Sequence, residues 1–473
     1  MEGPKGEGLN GWEGETTVSL GKARHQMTAK AELSSKPKGE ALRKQRSGEA
    51  STAANGDERL GNERQLMELV LAESNVKAAL KRVVKNKGSP GVDGMTVEEL
   101  PTWLATKWAE VRAQLLAGTY RPQPVREQEI PKSDGGVRKL GIPTVLDRCI
   151  QQSMLQVLGP KFDPTFSQHS HGFRPGRSAH DAVREARKYL QEGKLWVVDV
   201  DLEKFFDRVN HDVLMGRLEK RIGDKRMLGL IRRYLEAGMM ANGVVTARNE
   251  GTPQGGPLSP LLANVLLDEV DKELEKRGHA FVRYADDCNV YVKSKRAGED
   301  VLQLLRKLYG RLKLRINETK SAVAKPQTRK FLGYSFYRAR GTVKPCVAWK
   351  ALDAMKERVR AITRRSGGRS LQAVITALRS YLPGWRRYFC LAETPSIFKA
   401  LDEWIRRRLR QLQLKQWKRG TTTYRELRRR GVTAKNARRC ARHSKRLWKQ
   451  SRTLNIALSN RSYEVMGLPR LAT

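Results

Sequence analysis

Two adjacent aspartates, Asp286 and Asp287, are the residues of this chain best suited to chemistry. They lie in FVRYADDCNVYVKS, where an apolar run precedes the pair and an alternating run follows it. This pattern predicts a β-hairpin whose tip carries both carboxylates. Upstream, Asp201 follows another apolar strand, LWVVDVDLEKFFD. Carboxylates that converge from separate strands can hold two Mg²⁺ ions, and such a pair of ions stabilises the attacking and leaving oxygens of a phosphoryl transfer.

The identity of the upstream ligand is open between two residues. Asp199 and Asp201 lie two apart and therefore share one face of a strand. We favour Asp201, because the bulky Phe206 follows it by five residues and could wall a sugar pocket, whereas Lys204 holds that place relative to Asp199. We expect one of Phe205 and Phe206 to lie in the core. The simpler alternative for Asp-Asp alone is a solvated turn, and the accompanying segments argue against it.

Two further segments predict contacts with a nucleotide. Glycine and proline around Gln254 make a turn that a ligand can approach closely, and residues 258–274 follow as an amphipathic helix. Lys132 and Arg138 flank an Asp-Gly-Gly turn between two short strands, where cations could bind a triphosphate. Each segment has an ordinary alternative, which is a plain loop for the first and solvated charges for the second.

Arginines and histidines share the segment before the next predicted helix. In GFRPGRSAHDAV, Arg174 and Arg177 come just before the helix, an arrangement suited to contacting phosphate. His169, His171 and His180 lie close by. Because no cysteine or acid stands at ligand spacing from them, we interpret them as non-metal residues.

Composition favours a polyanionic partner. The 473 residues carry 92 Lys and Arg against 50 Asp and Glu, a net charge of +42. Self-repulsion of this size destabilises a compact state unless an anionic partner offsets it. Since no apolar run approaches the roughly eighteen residues that a spanning helix needs, we expect nucleic acid and no membrane. Five scattered cysteines without CxxC and the absence of a secretory signal predict a reducing, cytoplasmic location.

The chain divides by composition. The first segment is polar, lacks large apolar side chains and is expected to be disordered, and Met27 could be the true start. From residue 401 onward, 21 Lys and Arg face 4 Asp and Glu, and helical periodicity replaces the strands. The predicted domains are 1–61 (disordered extension), 62–345 (mixed α/β), 346–420 (helical) and 421–473 (small, basic and helical).

Six blocks in order carry a family resemblance: IPK…VRKLGIP, GFRPGRS, DLEKFFDRVNHD, TPQGGPLSPLLANVLLD, RYADD and FLGYSF. YLPGWRRYF…IFKALDEWIRRRLR…QWKR follows them. Together they resemble a bacterial group II intron reverse transcriptase with maturase function, closest to the class C intron proteins, over about residues 62–450. The resemblance implies an α+β right-hand polymerase, with fingers and an antiparallel palm sheet, followed by an α-helical thumb or maturase domain and a small basic DNA-binding domain.

The resemblance also assigns roles to residues. It implies that Asp201, Asp286 and Asp287 are catalytic and bind two Mg²⁺ ions. It places the sugar-gate aromatic on Phe206 and a nucleotide contact on Gln254. It places the cations that contact the triphosphate on Lys132 and Arg138. The residues that we expect to contact nucleic acid are Arg174, Arg177, Arg406, Arg407, Arg408, Lys415 and Lys418.

The implied partners are the group II intron RNA, target DNA with its primer, and dNTPs. Such a protein forms a ribonucleoprotein with the excised intron in a bacterial cytoplasm, at the nucleoid. No HNH-like Cys/His segment follows the basic tail, so the resemblance is to members that borrow a primer rather than cut the second strand. His171 stands where many relatives have an aromatic residue, so the packing expected there differs.

Rival interpretations differ in testable features. A splicing cofactor with a vestigial polymerase site would show decay among the catalytic aspartates, the gate aromatic or Gln254, and none is visible. Retron, diversity-generating and CRISPR-associated reverse transcriptases usually lack the YLPGWRRYF…WIRRRLR block. A basic scaffold protein would have no use for the aspartate cluster. Aromatic residues of the helical region could stack on bases or form its core: Trp385, Tyr388, Phe389, Trp404 and Trp417.

Overall fold

The strand that precedes Asp201 lies inside a four-stranded sheet. In a computed structural model that describes residues 65–131, 136–241, 243–246, 249–442 and 454–472, this central sheet has the order β6-β7-β3-β8. Every neighbouring pair in it is antiparallel. The strands are β3 (Trp196–Val200), β6 (Ala280–Tyr284), β7 (Asp287–Val292) and β8 (Ala322–Ala324).

A second four-stranded sheet contains the predicted Asp-Gly-Gly hairpin. Its order is β2-β1-β4-β5. The hairpin strands pair antiparallel as predicted, from Arg126 opposite Ile142 to Pro131 opposite Val137, whereas β1 and β4 run parallel. The strands are β1 (Val125–Pro131), β2 (Val137–Ile142), β4 (Met239–Ala241) and β5 (Val244–Thr246).

The first predicted helix is two helices. Helical periodicity in the sequence from about Arg64 to the GSPGVDG turn predicts one helix, but α1 (Leu66–Val70) ends before α2 (Glu73–Asn86) begins. The backbone of Ala72 is extended, with φ −58° and ψ 135°. The Asn75 amide then donates to the freed carbonyl of Val70 at 2.9 Å, so a side chain satisfies a group that the broken helix leaves open.

Helices pack around the central sheet and enclose a continuous apolar core. Residues 258–274, predicted as an amphipathic helix, lie in α8, most of whose apolar side chains are buried. The helices of this part are α3 (Leu100–Leu116), α4 (Val145–Phe162), α5 (Ala179–Gln191), α6 (His211–Glu219), α7 (Lys225–Glu236), α8 (Ser259–Lys276) and α9 (Lys295–Arg311), with 3₁₀ turns at Asp163–Thr165, Phe205–Asp207 and Pro326–Thr328.

Beyond the central sheet the chain is mainly helical, as predicted. A two-stranded antiparallel ribbon comes first, and helices follow it. These elements are β9 (Tyr334–Ala339), β10 (Thr342–Val347), α10 (Trp349–Ile362), α11 (Leu371–Tyr388), α12 (Pro395–Gln416), α13 (Gly420–Arg429), α14 (Ala434–Arg442), α15 (Leu454–Ala457) and α16 (Asn460–Val465).

The helical region has two apolar clusters. The larger one joins α10, α11 and α12 to the outer face of the central sheet, and Leu471 returns to it after α16. The backbone N–H groups of Leu471 and Ala472 each donate to the buried carboxylate of Asp402 at 3.0 Å. A smaller cluster forms where α13 and α14 pack on Trp417. The last described residues are therefore packed against α12.

Some aromatic residues of this region lie in its core, and others remain accessible for stacking on bases. Phe389 and Trp417 are buried core residues, whereas Tyr388 remains 39% exposed. Trp385 and Trp404 are intermediate. Among the described residues no helix is long and apolar enough to span a membrane. The predicted disordered extension, residues 1–61, lies outside the residues that the structure describes.

Candidate active site

A two-residue turn between β6 and β7 presents the paired aspartates. Tyr284 pairs with Asp287, so Ala285 and Asp286 form the turn itself, and the predicted hairpin is confirmed. Ala285 has a φ of +59°, a left-handed conformation that costs a non-glycine residue roughly 1 kcal/mol or more. Surrounding contacts must therefore hold this turn in place.

Those contacts come from a buried arginine that the sequence patterns did not single out. Arg283 is 1% exposed, and its Nε donates to both carboxylate oxygens of Asp271 at 2.8 and 2.9 Å. Its guanidinium also donates to the Asn264 side-chain oxygen and to the Ala285 carbonyl, each at 2.9 Å. The network fixes the carbonyl that precedes Asp286, because a buried guanidinium must have every donor satisfied.

Gly172 closes the other side of the turn. The Asn264 amide donates to the Gly172 carbonyl at 3.0 Å. A Cβ on Gly172 would lie 2.1 Å from the Ala285 nitrogen, so only glycine allows this approach. The GFRPGRS motif is therefore tied to the aspartate turn through backbone contact rather than through its arginines.

Strand β3 brings Asp199 and Asp201 beside the turn. Val200 lies opposite Cys288, so Asp201 emerges next to Asp287. Arg329 Nε donates to Asp199 at 2.8 Å. The Lys320 ammonium lies 3.7 Å from an Asp201 carboxylate oxygen. Because Asp199 is held in a short ion pair, the arrangement favours Asp201 as the ligand.

The carboxylates repel one another. Burial, then the charge of Asp201, raises the pKa of Asp286, and Arg138 opposes the rise. Desolvation by the surrounding protein raises the pKa of Asp287 to about 7, with further contributions from the charges of Asp286, Asp199 and Asp201, although Asp287 is an exposed residue. Among the described residues no three acidic, His or Cys side chains are already gathered around a common metal position. Negative charge is therefore concentrated where the end of β3 meets the β6–β7 turn.

The Gln254 loop and the Phe206 turn form one unit beside this cluster. The Thr252 N–H donates to the Phe206 carbonyl at 2.7 Å. Phe205 is buried and packs edge-on against Phe206, with ring centroids 5.0 Å apart, while Phe206 stays partly exposed. The Gly141 N–H donates to the Gln254 carbonyl at 3.1 Å. These bonds connect the loop to β2, the strand that carries Arg138.

Arg138 is exposed on β2, and its charge acts on Asp286. Its positive charge lowers the pKa of Asp286 and so opposes the effect of burial. Lys132 lies outside the described residues.

The prediction that Arg174 contacts nucleic acid is corrected. Its side chain is 7% exposed, and its guanidinium donates to the Asp163 carboxylate at 2.8 Å and to the Ser167 and Ser170 carbonyls at 2.5 and 3.0 Å. These bonds use the donors that a phosphate would need. Arg177 is more accessible and donates to the Gln168 carbonyl at 2.5 Å.

The predicted basic residues of α12, and Lys418 just after it, differ in their exposure. Lys415 and Lys418 are exposed, and Arg406, Arg407 and Arg408 are half-buried. Arg408 Nε donates to the Thr363 hydroxyl at 2.7 Å. The ammonium groups of Lys415 and Lys418 are therefore exposed, whereas the Arg408 guanidinium is held in place by Thr363.

His169 and His171 both contact one carboxylate, that of Glu185. His171 Nε2 lies 2.5 Å from Glu185, whose other oxygen contacts His169, and Tyr189 donates to Glu185 at 2.8 Å. Burial alone would raise the pKa of Glu185, but these hydrogen bonds outweigh it and lower the pKa to about 2. The bond to Glu185 raises the pKa of His169.

We expect this network to stabilise the fold most between about pH 4.5 and 6.5. The contribution of Glu185 is present above its unfolded pKa of 4.5 and is lost as pH falls toward 2. The contribution of His169 is present below its unfolded pKa of 6.5 and is lost as pH rises through the raised folded value. Glu185→Gln should therefore lower the unfolding free energy most in this window, by on the order of 3 kcal/mol. Denaturant melts across pH measure it, and a pH-independent difference would contradict the assignment.

Two family models match the chain. The model described as "Reverse transcriptase (RNA-dependent DNA polymerase)" matches residues 130–336, which include the central sheet and all three aspartates. The model described as "Group II intron, maturase-specific domain" matches residues 352–431, within the helical region. The fold is thus a mixed α/β reverse transcriptase domain followed by a helical maturase domain.

Relatives agree with the two models. Protein YkfC of Escherichia coli (strain K12) is 34% identical over 320 residues, which cover 58% of this chain and 83% of YkfC. Group II intron-encoded protein LtrA of Lactococcus lactis subsp. cremoris is 32% identical over 271 residues, covering 57% of this chain and 43% of LtrA. The chain therefore spans less than half of LtrA.

The chain belongs to the family of group II intron-encoded reverse transcriptases and maturases, and the family predicted from its motifs is confirmed. A solved structure, "Partial Cas6-RT-Cas1--Cas2 complex", matches with a TM-score of 0.35 and 26% identity over 54% of this chain and 43% of that one. A likeness this low carries no argument.

Proposed function

We propose that this protein copies the RNA of a group II intron into DNA during retrohoming and binds that RNA to assist its splicing. The observation that supports the polymerase half best is the coupled cluster of Asp201, Asp286 and Asp287, in which neighbouring carboxylates contribute to the raised pKa of Asp287. The maturase match over residues 352–431 supports the splicing half.

We infer that the molecule has the right-hand polymerase architecture of fingers, palm and thumb. The central sheet is the palm, the sheet of β1, β2, β4 and β5 belongs to the fingers, and α10 to α12 form the thumb. The proposed divisions are those of the sequence: 62–345 for fingers and palm, 346–420 for the thumb or maturase domain and 421–473 for a basic DNA-binding tail.

The three aspartates suit a pair of Mg²⁺ ions by their donor chemistry. They offer oxygen ligands alone, which Mg²⁺ prefers, and their mutual repulsion is relieved when a cation binds. Bound there, the ions would stabilise charge on the attacking and leaving oxygens. Arg138, with Lys132, would bind the triphosphate, while Gln254 and Phe206 would orient the incoming sugar beside the aspartates.

Phe206→Ala should weaken discrimination against ribonucleotides. The Thr252 N–H holds the Phe206 backbone carbonyl and the Phe206 ring packs on Phe205, so the partly exposed ring would lie where it meets a 2′-hydroxyl. We expect incorporation of rNTP relative to dNTP to rise by about tenfold to a hundredfold, the range for losing shape selection in a pocket. Single-nucleotide extension with each substrate measures the ratio. Phe162→Leu is the control, because Phe162 is a buried core residue that packs on Phe166: it should lower stability and leave the ratio unchanged. An unchanged ratio in Phe206→Ala would remove this role.

The proposed partners are the intron RNA, target DNA with its primer, and dNTPs, in a ribonucleoprotein within a bacterial cytoplasm. Arg177, Arg406, Arg407, Lys415 and Lys418 would contact phosphates without reading bases. Each contact steepens the dependence of log K on log salt by about 0.9 for duplex DNA and about 0.7 for single strands.

Two assays on the full chain test the proposal. The first is primer extension on an RNA template with dNTPs and Mg²⁺. The second is splicing of the cognate intron RNA at near-physiological magnesium, with and without protein. We expect extension in the first assay and faster splicing with protein in the second. No extension would refute the polymerase half, and protein-independent splicing would refute the maturase half.

A further inference from the structure

A concave cationic pocket lies between the end of α10 and α12, away from the residues assigned to the active site. Its volume is about 420 Å³. Four arginines and a lysine surround it together with one hydroxyl. The lining residues are Arg360, Arg364, Arg365, Ser366, Arg408 and Lys415.

The charge of this pocket, hereafter the α10–α12 pocket, is uncompensated. No carboxylate in the described part of the chain forms an ion pair with any of its five cations. Elsewhere arginines do pair with acids, as Arg221 does with Asp268 at 3.2 Å. Clustered like charges raise the energy of the free protein, so a binding anion would lower it.

The protein itself positions part of this charge. The Arg408 guanidinium is fixed by the Thr363 hydroxyl at 2.7 Å and lies 5.5 Å from the Trp404 ring centre. The Arg360 guanidinium lies 5.8 Å from the same ring. Burial, followed by the charges of Arg360 and Arg365, lowers the pKa of Arg408. The aromatic ring and the hydroxyl hold the two guanidinium groups near one another.

We propose that the α10–α12 pocket binds several closely spaced phosphates of a folded RNA, as at a sharp turn of its backbone. Guanidinium groups bind phosphate oxygens in pairs of hydrogen bonds, and five cations exceed the charge of one phosphodiester. Phosphates come close enough to share five cations where an RNA backbone folds back on itself, whereas they are evenly spaced along a regular duplex. This inference rests on the proposed function, since it assigns the pocket to the intron RNA rather than to the duplex being copied.

The test uses the full chain carrying Arg360→Gln and Arg365→Gln together. Binding of an intron RNA transcript and of a short RNA–DNA hybrid duplex is measured over a range of salt. We expect the double variant to bind the intron RNA about tenfold or more weakly. Its salt slope should fall by about 0.7 to 0.9 for each phosphate that the variant no longer binds. Hybrid binding and primer extension should stay within about twofold of wild type. Inorganic tripolyphosphate should displace the intron RNA from the wild-type protein but not from the variant.

Arg358→Gln is the matched control, because Arg358 is exposed on the same helix and does not line the pocket. Arg360→Lys with Arg365→Lys keeps the charge and should recover part of the binding, which separates a charge effect from misfolding. An equal loss in Arg358→Gln, or an equal loss on the hybrid, would overturn the pocket assignment. If wild type itself neither extends primers nor binds the intron RNA, the proposed function fails instead.

Discussion

Asp286→Ala is expected to reduce primer extension on an RNA template by about a thousandfold or more while the protein stays folded. Asp286 stands at the tip of the β6–β7 turn, within the field of Asp201 and Arg138. Removing its carboxylate would delete a proposed ligand at the point where charge develops, and losses of about a hundredfold to a thousandfold follow removal of even one preorganised group. Steady-state extension with dNTPs and Mg²⁺ measures the effect.

Asp300→Ala provides the control for this substitution. Asp300 is an exposed acid on α9, so its loss makes the same change in net charge away from the cluster. We expect extension by this variant to remain near wild type. Activity of Asp286→Ala within about tenfold of wild type would contradict the assignment of Asp286, since catalysis would then not depend on its carboxylate.

Asp271→Ala is expected to lower the free energy of unfolding by about 3–5 kcal/mol, the cost of leaving a buried partner charge unpaired. Asp271 is fully buried, and its carboxylate accepts the Nε and Nη2 donors of Arg283. Arg283 also holds the Ala285 carbonyl, so the variant should lose extension activity together with stability. Chemical denaturation followed by fluorescence, with extension at a permissive temperature, measures both effects.

Two companion variants make this result interpretable. Glu269 lies on the same helix as Asp271, and Glu269→Ala removes its half-exposed ion pair with Arg217. Pairs of that kind contribute about 1 kcal/mol or less. Asp271→Leu combined with Arg283→Met replaces the buried pair by apolar groups and should recover much of the lost stability. A loss in Asp271→Ala no larger than in Glu269→Ala would show that the buried pair does not support the turn.

The sequence pattern was sufficient for the elements that carry the aspartates. Apolar alternation on both sides of Asp286 and Asp287 predicted the hairpin, and the spacing of apolar residues predicted α8 and the long helices of the C-terminal region. These predictions succeeded because the periods of buried residues follow from the geometry of strands and helices.

Long-range contacts could not be predicted in this way. The bond of Arg283 to Asp271, the contact of Gly172 with Ala285 and the enclosure of Arg174 join residues whose proximity depends on packing. Arg174 in particular has the local setting of a phosphate ligand, and only the fold shows that its donors are used internally. An arginine among β-strand residues, RYADD, was the available signal for the buried network, since a charged residue between apolar neighbours requires a partner.

The break between α1 and α2 likewise depends on a long-range contact that the sequence pattern does not predict. Continuous apolar periodicity from about Arg64 predicted one helix, because no proline or glycine interrupts it. The chain turns at Ala72 instead, and Asn75 satisfies the carbonyl that this turn exposes while its amide also reaches the Ser153 carbonyl at 3.1 Å. Tertiary contact therefore outweighed helix propensity.

Diffraction from crystals of the protein soaked in Mn²⁺ in place of Mg²⁺ would test the two-ion proposal most directly, because the anomalous signal locates each bound ion. We predict that anomalous density lies beside Asp201, Asp286 and Asp287, where β3 meets the β6–β7 turn, and that this density is lost in Asp286→Ala. Ordered crystals with no ion there, or with Asp201 and Asp286 too distant to share one, would contradict nucleotide addition at this cluster.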